Sequence, residues 1–145
     1  MAIQAEECVY ALLAASTAVG ALAADRIYPQ VAPQQTATLP YMTYNRIDGI
    51  HMHNMSGPSG LVNVRMQIDY YASTYSGASA LADAARNVLD GYTGSVTVGS
   101  TSIDIKQCHL ISDNSDFVQP QNAAEVGTRR FSHDYQIVHE TTTPN

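Results

Sequence analysis

Hydrophobic and polar residues alternate most regularly between residues 61 and 72. A period of two predicts a β-strand that buries one face and leaves the other in contact with water. Residues 41–48 predict a second strand. Two neighbouring strands joined by a single loop favour a long antiparallel β-hairpin. The residues on the predicted buried face are Val62, Val64, Met66, Ile68, Tyr70 and Ala72.

The spacing of apolar residues predicts a first helix over residues 5–22. Glu6 and Glu7 lie in its opening turn, where the helix dipole favours negative charge. The side opposite the apolar stripe carries small residues, among them Ala14 and Ala18. That side either allows another backbone to approach closely or simply reflects an alanine-rich helix of high intrinsic propensity.

A second helix is predicted over residues 76–90. Ser76 can cap its N-terminus, and Gly91 is suited to ending it. The apolar stripe of this helix consists of Ala78, Leu81, Ala85, Val88 and Leu89.

The remaining segments complete one domain, residues 1–145. Three prolines predict an irregular connector between the first helix and the first strand, at residues 25–39. The other predicted elements are a projecting hairpin loop at 49–60, strands at 95–98, 102–109 and 129–140, a polar loop at 112–128 and a loose tail at 141–145. This order predicts an α+β fold, in which two helices pack on one face of a mainly antiparallel sheet with the long β-hairpin between them.

The composition excludes global disorder, because 45% of the residues are hydrophobic. Charged residues make up only 14%, against about 25% in ordinary soluble domains. A surface poor in charge is consistent with coverage by other subunits. The net charge of −6 argues against a protein whose main task is to grip phosphate backbones.

Cys8 and Cys108 are expected to be two reduced, buried thiols; a disulfide would need an oxidising compartment. The apolar run at residues 8–24 imitates a signal peptide, but acidic residues occupy the place of its basic segment. Polar residues interrupt the run, which is short for a membrane span. We therefore expect neither a signal peptide nor a membrane segment here.

Two groups of residues are candidates for metal binding. His51 and His53 point to the same side if they lie on a strand and could share a metal, but a third ligand would have to come from the fold. Asp113 and Asp116 resemble the start of a calcium loop that lacks the required glycine and distal glutamate. The simpler interpretation is ordinary loop histidines and a solvated acidic loop. No catalytic residue, cofactor or metal ligand is assigned.

A set of short motifs occurs along the chain in a fixed order. The motifs are Asp25-Arg26-Ile27-Tyr28-Pro29, Leu39-Pro40-Tyr41, Gly60-Leu61, Val64-Arg65-Met66-Gln67-Ile68-Asp69, Tyr75, Leu81-Ala82-Asp83-Ala84-Ala85-Arg86 and Leu89-Asp90-Gly91. In this order and spacing they resemble the tail completion, or tail terminator, family of long-tailed bacteriophages and related tailed particles. The resemblance covers roughly residues 5–140, and the chain departs from it in a longer loop at 117–125.

The resemblance implies a structural virion protein rather than an enzyme. Such proteins form a ring, usually a hexamer, that caps the head-proximal end of the tail tube, ends tube polymerisation and joins the tail to the head connector. The implied partners are further copies of the chain, the tail tube protein and a connector or stopper protein. DNA would pass through the lumen without specific binding, no cofactor or membrane would be involved, and the protein would reside in the virion neck after assembly in the bacterial cytoplasm.

Two alternatives remain open at this stage. One is another neck component, such as an adaptor or stopper, and the other is a small enzymatic or ligand-binding module on an α+β sheet. If the protein works through contacts, its loops should carry them, although the loop at 49–60 could also be a linker that folds back on the sheet. The predicted interface residues are Ile50, His51, Met52, His53, Met55, Asp113, Phe117, Ala14 and Ala18.

Overall fold

The computed structural model describes residues 5–23, 26–29, 40–55, 57–98, 101–118 and 128–140. Within these ranges the chain forms three helices and six strands. The helices are α1 (Ala5–Ala15), α2 (Thr17–Ala23) and α3 (Tyr75–Leu89). The strands are β1 (Ile27–Pro29), β2 (Tyr41–Asn54), β3 (Gly57–Ala72), β4 (Gly94–Val98), β5 (Thr101–Val118) and β6 (Thr128–Glu140).

The strands form one sheet in the order β1-β2-β3-β6-β5-β4. β1 pairs with β2 in parallel, whereas the other four neighbouring pairs are antiparallel. The fold is therefore α+β with a mixed sheet, which corrects the prediction of a mainly antiparallel one. The difference arises at residues 25–39, which were predicted to be an irregular connector. Part of this segment, Ile27–Pro29, forms the short strand β1, which pairs with β2 in parallel.

The sheet curls around its helices. α1 contacts β1 and β2 near one edge of the sheet and β4 at the opposite edge, so the two edges approach the same helix. α3 contacts the central strands β3 and β6, and also β5. That all helices lie on a single face stays a prediction, and so does the division of the chain into one domain.

The alternating pattern of β3 is confirmed. Its predicted inward residues, from Val62 to Ala72, are at most 4% exposed, whereas the intervening residues are partly or fully exposed. From α3, Leu81 and Leu89 are buried in the same core, and Val88 packs against it partly buried. Hydrophobic burial of this one strand face therefore fixes its register against β2 and β6.

The first helix is broken, which corrects the prediction of one helix over residues 5–22. α1 and α2 meet at Ser16 with a bend of 85°. The backbone N–H of Val19 donates to the Ser16 hydroxyl over 3.3 Å, so this serine caps the start of α2. No single described helix is long and apolar enough to cross a membrane, although the bent pair satisfies the length and composition criteria together.

The predicted second helix corresponds to α3, but its N-cap is Thr74 rather than Ser76. The Thr74 hydroxyl accepts a hydrogen bond from the Gly77 N–H over 3.1 Å. At the other end, the N–H of Asp90 donates to the carbonyl oxygen of Arg86 over 2.9 Å.

Strands extend into two of the predicted loops. β2 continues to Asn54 and β3 begins at Gly57, and these two residues pair with each other. β5 likewise continues through the first part of the predicted loop at 112–128, as far as Val118. Glycine and polar residues lower intrinsic strand propensity, but pairing with a neighbouring strand supplies the missing backbone hydrogen bonds. Residues 119–127 and the predicted tail at 141–145 lie outside the described residues.

Both cysteines are free and buried, as predicted. Burial raises the pKa of the Cys8 thiol to about 11 and that of Cys108 to about 12. Such thiols remain protonated near neutral pH and behave as small apolar core residues.

Candidate interface surfaces

The first predicted contact region is the end of the β2–β3 hairpin. Ile50 is 61% exposed although it lies within β2, where it pairs with Asn63 of β3. Met55 at the tip is fully exposed, and His51 is also exposed. The remaining predicted residues of this region, Met52 and His53, lie in β2 as well. The hairpin therefore presents large apolar groups to solvent on a paired scaffold, which a flexible loop would not provide.

The second predicted contact region lies at the opposite end of the sheet. Asp113 is exposed and pairs with His133 of β6, which places it level with Ile68 of β3 and Tyr44 of β2. Phe117 lies further along β5, opposite Arg129. Residues 111–115 are exposed on both faces of the sheet, so this part of β5 extends beyond the helices. The predicted residues therefore form two separate surfaces rather than one patch.

The small-residue side of the first helical segment is divided by the bend. Ala14 lies on α1 and Ala18 on α2, and both are exposed. Because the helices turn by 85°, the two alanines do not share one continuous face, as a single helix would have provided.

Two β-bulges expose isoleucines that the sequence pattern did not identify. Ile47 is the extra residue between Arg46 and Asp48 of β2, and it is 46% exposed. Ile111 is the extra residue between Leu110 and Ser112 of β5, and it is 47% exposed. A bulge shifts the side-chain alternation by one residue. Bulges have no sequence signature here, so only the paired structure could locate these groups.

A cleft of about 470 Å³ lies between the start of α1 and the sheet edge. An ion pair lines the cleft, in which Arg46 Nε lies 2.6 Å from Glu6 Oε1. Burial, followed by the charges of neighbouring acidic groups, raises the pKa of the Tyr44 hydroxyl beside it. The ion pair ties α1 to β2 across 40 residues of sequence, which gives these charged residues a structural role. The residues lining the cleft are Glu6, Glu7, Pro29, Tyr44, Asn45 and Arg46.

Three tyrosines form a row near the β1 edge. The ring of Tyr41 stacks on that of Tyr71 with 4.8 Å between centroids, and it meets Tyr28 edge-on at 6.0 Å. Each of the three side chains is partly exposed. The row joins β1, β2 and β3 by cross-strand aromatic contact, a common source of sheet stability.

The interior contains a small polar network. Nδ1 of His133 lies 3.2 Å from the hydroxyl of Tyr70 and 3.2 Å from that of Tyr135. All three side chains are buried. Burial lowers the pKa of His133 and raises the pKa of both tyrosines, so the network is neutral at neutral pH.

Among the described side chains, no three metal-binding groups lie close enough to share an ion. The side chain of His53 lies outside that set, so the predicted pair His51 and His53 stays a prediction. His133 and His139 are buried in the sheet.

These surfaces can be compared with known proteins. The sequence profile of the family described as tail completion protein gp17 matches residues 7–140. The chain belongs to this family. The tail completion family consists of structural virion proteins, so this chain is a structural component of the tail of a phage or related particle.

The fold of this tail completion protein also recurs in a solved particle. A chain in a structure titled "Virion of native gene transfer agent (GTA) particle" superposes with a TM-score of 0.72, and 94% of each chain is covered. The two sequences are 17% identical, so this similarity concerns the fold. Comparison with curated protein sequences gives no match.

Proposed function

We propose that this tail completion protein forms a closed ring, with six copies as the expected number, on the head-proximal end of the tail tube. The ring ends tube polymerisation and offers its other side to the head connector or a stopper protein. It is assembled in the bacterial cytoplasm and remains in the neck of the virion.

Membership of the tail completion family, which extends over residues 7–140, is the observation that carries this proposal. The placement of the exposed groups supports it. One surface, around Ile50 and Met55, lies at one end of the sheet, and the other, around Asp113, lies at the opposite end. A ring subunit that meets neighbouring chains on several sides needs contact surfaces that face in different directions.

The net charge of the chain suits a passage for DNA. The chain carries a net charge of −6, and like charge discourages a phosphate backbone from adhering to the wall. DNA would then cross the lumen without specific binding.

The test is deletion of this protein from particles whose other components are intact. We expect tubes of uncontrolled length, together with filled heads that lack tails. Supplying the wild-type chain in trans should restore joined particles of uniform length, which provides the control.

Localisation then separates the proposal from a different role in the neck. Cryo-electron microscopy of purified tails without heads should show a ring of this chain at one tip of the tube. Uniform tails in the deletion mutant, or a chain that is found only on tailless heads, would contradict a terminator and identify a connector-side component.

A further inference from the structure

The two outer strands of the sheet are short and leave parts of their neighbours unpaired. β1 pairs only with residues 42–44 of β2. Among the described residues, the following stretch 45–54 has no strand on its outer side. At the opposite edge, β4 pairs only with residues 101–105 of β5.

The end of α3 covers the next part of β5. The carbonyl oxygen of Cys108 accepts a hydrogen bond from the Gly91 N–H over 2.7 Å. The Leu110 N–H donates to Asp90 Oδ1 over 3.1 Å. In the part of the chain that the structure describes, the open outer edge of β5 therefore begins at Ile111 and continues to Val118.

These two open edges are complementary in position and direction. The open part of β2 lies at the hairpin end of the sheet, where Ile50 pairs with Asn63 of β3. The open part of β5 lies at the other end, where Asp113 is level with Tyr44 near the start of β2. Three successive antiparallel pairings make β2 and β5 run in opposite directions. If two copies of the chain lie side by side in the same orientation, the outer edge of β2 in one copy and the outer edge of β5 in the other would thus form an antiparallel pair.

We propose that the partner of each open edge is a second copy of this chain: residues 45–54 of one copy pair with residues 111–118 of the next, joining their sheets head to tail. This inference rests on the proposed ring. The contact is heterologous, so it closes into a ring when the rotation between copies allows. A stagger between neighbouring edges is accommodated in a closed ring when the strands are tilted relative to the ring axis.

The short strands define that stagger. β1 occupies the outer side of β2 just before its open stretch, and β4 occupies the outer side of β5 before its own. In the proposed pairing, each short strand lies beyond the end of the neighbour's open stretch and does not clash with it. The stepped outline of each edge therefore fixes the register of the contact.

Side chains favour this pairing over an edge that pairs with itself. Residues 111–118 contain Asp113 and Asp116 and no basic residue, so two such edges would bring carboxylates together. Residues 45–54 contain one arginine, one aspartate and two histidines. Each edge also exposes an isoleucine at its bulge, Ile47 or Ile111, which contact between copies would remove from water.

Backbone direction identifies the residues that would bond to the neighbour. The N–H of Leu110 points to the outer side of β5, because its acceptor is Asp90. The bulge at Ile111 lies in β5, and the residues of β6 opposite it follow one another without interruption. Because the direction of the backbone N–H groups alternates from one pair to the next, the N–H groups of Asp113 and Ser115 also point outward. On β2, the N–H of Met42 points toward β1.

The first test removes one outward donor. Ser115→Pro deletes an N–H that the internal ladder does not use, and Ser115→Val keeps it as the matched control. We expect both purified variants to melt like the wild type, but rings on tails only for the wild type and Ser115→Val. Rings of normal occupancy with Ser115→Pro would overturn the edge pairing and leave the proposed function standing. Wild-type tails without any ring would refute both.

The second test does not depend on tolerance of proline. Ile50→Cys is combined, one position at a time, with cysteine at Ser112, Asp113, Asn114 or Ser115, and assembled particles are oxidised. Strand pairing requires cross-links that alternate in strength with a period of two and that form a ladder of multimers. The buried native thiols give a low background. Dimers from Ile50→Cys alone, or no cross-links in particles that carry rings, would overturn the proposal.

Discussion

The hydroxyl of Tyr70 on β3 lies 3.2 Å from Nδ1 of His133 on β6, and both side chains are buried in the core. Tyr135 approaches the same ring nitrogen from the other side, also at 3.2 Å. The two hydroxyls and this ring nitrogen therefore have hydrogen-bond partners, which reduces the cost of burying them. Burial disfavours a charged imidazole and lowers the pKa of His133, and the charge of its cross-strand neighbour Asp113 offsets only part of this effect.

Stability should fall as the pH is lowered below the ordinary histidine value of 6.5. Burial lowers the pKa of His133 and of His139 in the folded protein. Between the folded and unfolded pKa values the unfolded chain binds more protons, so the free energy of unfolding decreases as the pH falls through this window and is fully retained above it. Urea titration at pH 7.5 and pH 5.5 should show a lower midpoint at the lower pH.

Single substitutions can show which histidine causes the pH dependence of the urea midpoint. His133→Asn should make the urea midpoint less dependent on pH, whereas substitution of the exposed His51 by glutamine should leave the dependence unchanged. An equal change in both variants would show that the buried histidine is not responsible.

Val64→Asp should unfold the domain. Val64 is completely buried between β2 and β6, and an unpaired carboxylate there should cost about 4 kcal/mol or more. Asn63→Asp on the other face of the same strand provides the control and should change stability by less than about 1 kcal/mol. Thermal melting followed by circular dichroism distinguishes these outcomes, and a cooperatively melting Val64→Asp protein would contradict the assigned core.

Two glycine-to-alanine substitutions should have opposite effects. Gly91 has a φ of +85°, a conformation that alanine rarely adopts, so Gly91→Ala should destabilise by about 1 kcal/mol. Gly20 lies in α2 with open space around its Cα, so Gly20→Ala should stabilise by about 0.5–1 kcal/mol through higher helix propensity. Chemical denaturation of both variants measures the difference, and a shared sign would contradict the helix assignment.

Asp90 should contribute by holding β5 to the end of α3. Its Oδ1 accepts from the Leu110 N–H, and its Oδ2 lies 3.2 Å from Arg86 Nε. The hydrogen bond from Leu110 is the largest influence that lowers the pKa of Asp90. Asp90→Ala should lower the free energy of unfolding by about 1 kcal/mol, and Asp90→Asn, which retains an acceptor, should lower it by less. Equal losses in equilibrium unfolding would show that the acceptor is unimportant.

Ile50 and Met55 should matter for assembly and not for folding. Because both side chains are exposed, Ile50→Thr and Met55→Ser should leave the melting temperature within about 2 °C of the wild type. The proposed function requires fewer joined particles with these variants, counted by electron microscopy. Thr97→Ser on the exposed face of β4 provides a surface control, and normal particle numbers with both test variants would leave the hairpin end without a role.

The sequence by itself determined the elements in which buried positions recur at a regular spacing along the chain. The alternation from Val62 to Ala72 and the stripe that includes Leu81 and Leu89 are confirmed, because a residue's burial there depends mainly on its place in its own strand or helix. The same is true of the two buried cysteines, and the ordered motifs correctly identified the tail completion family.

Only the tertiary structure decided the elements that depend on a partner distant in sequence. β1 has three residues and exists because β2 supplies its ladder. The strands on either side of Met55 persist through glycine and polar residues for the same reason. Pairing energy between strands outweighs their weak local propensity, and no local pattern records it.

The exposed edges depend on the tertiary structure in the same way. Ile47 and Ile111 look like ordinary strand residues in the sequence, and bulges in the paired strands bring both to solvent. The open stretches of β2 and β5 arise because β1 and β4 are short relative to their neighbours, a property of register and not of composition. The sequence therefore determined which residues are apolar, whereas strand pairing decided which of them are exposed.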